Sequence, residues 1–89
     1  MHSALFVATM PKERDDDWEV FLSRVSTKTK AMTSLVRLAE NVWLVDLTKG
    51  PGALGYLISF AHEGRMSYGI LPFEREPQWL PADFDPKPS

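Results

Sequence analysis

Eighty-nine residues allow one domain, and a chain this short keeps much of its surface in water even when folded. Ten Lys and Arg against twelve Asp and Glu give a formal net charge of −2, too near neutral for a surface devoted to polyanions. The absence of cysteine excludes disulfide scaffolds and Cys-based zinc sites, and 44% hydrophobic against 25% charged residues excludes a disordered chain.

The opening Met1-His2-Ser3 lacks the basic region of a signal peptide, and no apolar run approaches the ~18 residues of a membrane span. The expectation is a cytoplasmic chain without membrane contact. Ala4-Leu5-Phe6-Val7-Ala8 is apolar on both alternating sets of positions, the mark of a central strand. Asp15, Asp16 and Asp17 then precede an amphipathic stretch, Trp18, Phe21, Leu22 and Val25 at i, i+3, i+4, i+7, which predicts a helix over residues 16–27. One aspartate is expected to cap it, and the others to favour the positive end of its dipole. Consecutive side chains diverge, so a metal site is not expected there. Trp18 and Phe21 open the stripe and should be buried against a sheet.

Residues 33–38 and 42–47 read as two strands joined by Ala39-Glu40-Asn41, with Asn41 suited to a left-handed turn position. Thr48-Lys49-Gly50-Pro51-Gly52 follows. It does not match the phosphate loop, because its lysine precedes the glycines, and Pro51 and Gly52 are explained by a turn or a first helical turn. Leu54, Leu57, Ile58 and Ala61 repeat the helical spacing, Gly64 is expected as the residue that closes this second helix, and residues 66–73 form a last strand. Residues 1–76 are thus one domain. Residues 77–89 form a proline-rich arm whose Trp79, Leu80 and Phe84 argue for docking on the fold or on a neighbour, with residues 85–89 mobile.

The order β-α-β-β-α-β resembles the ferredoxin-like fold, which implies an α+β domain with a four-stranded antiparallel sheet, strands one and three central, and two helices on one face. Such a sheet should alternate apolar and polar residues toward its uncovered side. Here Leu5 and Val7 oppose Phe6 and Ala8, Leu44 opposes Val45, and Tyr68 and Ile70 oppose Leu71 and Phe73, so both faces are apolar. Burying a further ~400 Å² of such surface at ~25 cal/mol per Å² is worth about 10 kcal/mol before association and ordering costs. A homodimer through the open face or an edge strand is expected, with Leu5, Val7, Leu44, Tyr68, Ile70, Trp79, Leu80 and Phe84 at its interface. The arm is expected to cross to the partner.

Chemistry-bearing residues are sparse. His62 lies beside an apolar stripe, His2 near one end of the chain, and no Ser-His-Asp or H-E-x-x-H pattern is assembled. Asp46 sits in an apolar strand, where it is either an acid of raised pKa or the partner of a nearby turn, the latter being the expectation. An enzyme pocket would have to recruit Asp46, Tyr68 or His62. Arg24, Lys28, Lys30 and Arg37 form the only basic cluster, the surface that a nucleic-acid reading would use. That reading would also need Phe6 and Trp43 as exposed stacking aromatics on the central strands, and neither strand contains a Lys or Arg.

Within the fold, Leu38-Ala39-Glu40-Asn41-Val42-Trp43-Leu44-Val45-Asp46 is similar to the hairpin of the small CRISPR-associated ferredoxin-fold proteins. The resemblance implies a dimer that in some members cleaves or holds nucleic acid. Those proteins carry an aspartate at the end of strand one, where Val7-Ala8-Thr9-Met10 has none, so the implied state is a scaffold without nuclease activity. The expectation drawn from the whole chain is a non-enzymatic, cofactor-free, metal-independent dimer. It would act as a regulator or inhibitor through protein contacts, with a nucleic-acid-binding dimer as the alternative.

Overall fold

A computed structural model describes residues 1–13 and 15–84; the arm segment 85–89 lies outside the described residues. In chain order the elements are β1 (Ser3–Ala8), α1 (Asp16–Thr29), β2 (Leu35–Ala39), β3 (Val42–Asp46), a 3-10 turn (Leu47–Lys49), α2 (Gly52–Glu63) and β4 (Tyr68–Phe73). The four strands pair antiparallel in the order β2-β3-β1-β4, so β1 and β3 are central, and the arrangement is ferredoxin-like.

The helix stripes dictate what is buried. In α1, Trp18, Phe21 and Val25 are inside, joined one turn on by Thr29, whose hydroxyl donates to the Val25 carbonyl at 2.6 Å. In α2 the innermost line is Ala53, Leu57 and Ala61, with Leu54 and Ile58 packed at its side. Small alanines let this helix sit close to the sheet. Both helices cover Phe6, Ala8, Trp43 and Val45, and the rings of Phe21, Trp43 and Phe6 meet edge-on. Trp18 and Phe21 are therefore core residues, as their positions in the stripe require.

Local chemistry sets the element ends. Asp15 accepts the Trp18 backbone N–H at 2.8 Å and caps α1, while Asp16 and Asp17 occupy the first turn. At the other end of the fold, Asp46 caps the 3-10 turn, and Gly50 follows it at φ 109°. Two expectations about turns are corrected. Asn41 is not left-handed: its side-chain amide donates to the Ala8 carbonyl at 2.9 Å, and Ala8 N–H returns a bond to Asn41 O, so its role is to tie the hairpin to β1. Gly64 does not take the left-handed position after α2 either. Arg65 does, at φ 55°, because Arg65 N–H bonds to His62 O and Met66 N–H to Ala61 O, the paired bonds of a Schellman closure one residue further along.

Candidate functional site

Pairing register decides which strand residues share the side of the sheet away from the helices. Leu5 lies opposite Leu44 and Leu71, Val7 opposite Val42 and Gly69, and Ser3 opposite Asp46 and Phe73. Val36 lies opposite Leu44 and joins them. This face is apolar over most of its extent, with Leu71 56% and Val7 37% exposed. At Gly69 even an added Cβ would meet nothing within 4 Å.

Of the expected interface residues, Leu5, Val7 and Leu44 lie on this face. Tyr68 and Ile70 do not: their partners are Ala8 and Phe6, and Tyr68 stacks on Phe6 on the helix side, its centroid 5.1 Å away. Alternation alone could not separate them from Leu71 and Phe73, since both sets are large and apolar, and only pairing with β1 does so. Tyr68 also meets His62, hydroxyl to Nε2 at 2.9 Å, at the Ala8 end of the sheet. Asp46 lies beside Ser3 at the other end, five residues and about 16 Å along β1. The three candidate enzyme residues are therefore not one pocket.

At its start the arm borders its own sheet, where Glu76, Pro77 and Trp79 line a cleft with Val36 and Leu44. Trp79 lies over the Val36 and Leu44 end of the open face, 37% exposed and with its ring 5.2 Å from that of Phe84. Leu80, at 92% exposed, takes no part in this packing.

Beneath Trp79 is a cleft of about 230 Å³ where His2, Ser3 and Asp46 come together. They do not form the hydrogen-bonded chain of a triad. Ser3 Oγ and His2 Nδ1 are buried without a partner, and both donors of Thr48, hydroxyl and backbone N–H, bond to Asp46 Oδ1. Those bonds, the hydroxyl's first, hold the Asp46 carboxyl below its ordinary range, against a partial desolvation that acts the other way; His2 and Lys49 add smaller favourable fields. Asp46 is thus an ionised capping group, and the raised-pKa alternative is overturned. Nothing in the composition marks Ser3 and His2 as site residues. Their position matters because they share a cleft with arm residues Glu76, Pro77 and Trp79.

The basic residues have different surroundings. Arg24 pairs with Glu63 across the two helices. Arg37 donates to the carbonyls of Ala39 and Glu40 and lies 5.6 Å from the Trp43 ring centroid. Lys30 shares a shallow cleft with Arg37 at the end of α1, and Lys28 is exposed in the last helical turn. Phe6 and Trp43 are core residues on the helix side, so the stacking platform expected of a nucleic-acid-binding sheet is not formed. Among the described residues, no group of three His, Cys, Asp or Glu is placed to hold a metal, and no helix is long and apolar enough to cross a membrane.

Comparison with known protein families, curated proteins and solved structures finds no match to this chain. The ferredoxin-like class stands on the topology, and the CRISPR-associated resemblance gains no support from a family match.

Proposed function

We propose that the chain is a non-enzymatic binding protein that docks the open face of its sheet on a protein surface, first that of a second copy, and so acts as a small regulator or inhibitor. The observation that carries this reading is the uncovered apolar strip Val7, Gly69 and Leu71 beside Leu5 and Leu44. Apolar surface so contiguous is favourable to bury and costly to leave in water.

The edges of the sheet argue for docking by the face. The outer strand β4 contains Pro72, which has no N–H to offer a neighbouring strand. On the opposite edge, the register of β2 shifts between Arg37 and Ala39, and such a bulge twists an edge away from pairing. Strand-to-strand association is therefore disfavoured at both margins.

Sedimentation equilibrium tests the reading. The full chain should be dimeric at about 100 µM, a concentration that corresponds to a dissociation free energy of about 5.5 kcal/mol. Gly69→Glu should abolish the dimer without unfolding the chain, because the new side chain enters open space at a residue of ordinary backbone geometry. A stable monomer at that concentration would defeat self-association. A dimer unaffected by Gly69→Glu would move the interface elsewhere.

A further inference from the structure

The cleft beneath the arm holds a polar group that the fold itself does not satisfy. Ser3 is 3% exposed, and its Oγ has no hydrogen-bond partner. Its pairing with Asp46 and Phe73 turns its side chain to the open face, into the cleft, and not toward the helices. The backbone on either side fixes it there: His2 N–H donates to Phe73 O at 2.8 Å, and Leu47 N–H donates to His2 O at 2.9 Å. A hydroxyl so held and left unpaired is costly unless something else supplies its partner.

The rest of the lining defines what that partner is. Two carboxylates, Asp46 and Glu76, border the cleft. Thr48 occupies only Oδ1 of Asp46, which leaves Oδ2 outside those bonds. Thr33 and Ser34 add hydroxyl groups, Val36 and Leu44 give an aliphatic floor, and Trp79 gives a flat aromatic wall. Acceptors spread around an apolar slot and closed by an indole suit a planar, multiply donating cation on an aliphatic stem. An anionic ligand would meet two carboxylates, and a purely apolar one would leave Ser3 as it is.

Deepening the reading proposed above, and resting on it, we infer that this cleft receives an arginine side chain presented by a protein partner. The guanidinium would face Glu76 and Asp46, donate to Ser3 Oγ and stack on Trp79, while its stem lies on Val36 and Leu44. Arginine is preferred to lysine because its rigid fork of five donors can serve separated acceptors at once, and its plane matches an aromatic face. Lys49 opposes this occupancy. Its Nζ reaches Thr33 Oγ1 at 3.4 Å, and with His2 it places positive potential beside Asp46.

The test is an NMR titration of the full-length chain with N-acetyl-L-arginine amide, using N-acetyl-L-citrulline amide, its neutral isostere, as the comparison. Saturable shifts should appear at Ser3, Leu44 and the Trp79 indole N–H with millimolar affinity, the scale of a single side chain. Citrulline should bind at least about fivefold more weakly, since only the charge-assisted bonds differ. Glu76→Gln, on the exposed arm, should weaken arginine binding by about three- to tenfold, and Lys49→Met should strengthen it by about twofold. Equal binding of citrulline, shifts confined to other residues, or no shifts at all would each overturn the inference. Gly69→Glu separates the two proposals: it removes the dimer and leaves the cleft uncovered, so arginine should bind this monomer at least as tightly as it binds the parent chain. A silent titration on the Gly69→Glu monomer therefore refutes the cleft and not the face.

Discussion

Phe21→Ala would empty the contact between α1 and the sheet. Phe21 is 1% exposed, and its ring stands 5.6 Å from Trp18 and 5.7 Å from Trp43, centroid to centroid. Losing the transfer of a phenyl ring out of water costs about 2 kcal/mol. A ring-sized void of roughly 90 Å³ adds about 2 kcal/mol at ~24 cal/mol per Å³ if its walls do not collapse. Trp18 and Trp43 are held by other core contacts, so little collapse is expected, and the loss should be about 3–5 kcal/mol. For 89 residues the whole stability is about 4–13 kcal/mol, which makes this a large fraction of it. Urea denaturation followed by tryptophan fluorescence measures the change as a lowered midpoint with an unaltered slope. Val20→Ala, on the exposed side of the same helix, should stay within about 0.5 kcal/mol. A loss below about 1 kcal/mol for Phe21→Ala, or equal losses for both variants, would refute the assignment of the buried helix face.

Arg65→Gly should stabilise the chain, because the left-handed backbone that closes α2 costs an ordinary residue about 1–2 kcal/mol and glycine's extra unfolded-state entropy offsets only part of that. A gain of about 0.5–1 kcal/mol raises the melting temperature by roughly 2–6 °C, and a lowered melting temperature would contradict the closure described. The Asp46 carboxyl titrates below its ordinary range in the folded chain, so the unfolded chain binds its proton first on acidification. Its stabilisation is therefore complete above the ordinary carboxylate range and disappears as pH falls through the depressed folded-state value. Thermal unfolding followed from neutral pH to about pH 3 should show a shallower acid decline for Asp46→Asn than for the parent chain; identical slopes would reject this contribution. Truncation after Glu76 removes Trp79 from the Val36 and Leu44 end of the sheet and should lower the melting temperature by several degrees, with Trp79→Ala acting in the same direction. An unchanged melting temperature would show that the arm contributes nothing to the fold.

The parts of this fold that were legible in the sequence are those fixed by neighbours in the chain. Trp18, Phe21 and Val25 share one helical face whatever the sheet does, and Asp15 caps because the orphan N–H of Trp18 lies three residues on. The parts that were not legible depend on distant partners. Asn41 has the composition of a left-handed turn, yet its amide is claimed by the carbonyl of Ala8, 33 residues away. Gly64 is the residue type that closes a helix, but the bonds from Arg65 and Met66 carry the closure past it. Tyr68 and Ile70 are as apolar as Leu71 and Phe73, and their face follows only from the register with β1.

The same dependence explains why the site could not be read from its residues. The open face exists because both helices lie on one side of the sheet, so surplus apolar strand residues have no cover from regular structure. The arm leaves β4 at Phe73, beside Ser3, and returns over the Asp46 end, which is as far as Trp79 reaches. Its Glu76, Pro77 and Trp79 line a polar cleft at that end, and Val7, Gly69 and Leu71 stay bare. A partner that covers the bare strip meets the rim of the cleft at the same time, because Leu5 and Leu44 are paired neighbours between the two. Apolar burial on the strip would then supply affinity, while a basic side chain entering the cleft would fix orientation, since a charge opposite the wrong surface goes unpaired. On this arrangement Gly69→Glu should weaken every partner alike, whereas Glu76→Gln should weaken only partners that present a cation. Parallel affinity measurements on the two variants with arginine-bearing and arginine-free partners would separate the contributions, and identical losses in both would show that strip and cleft are not distinct.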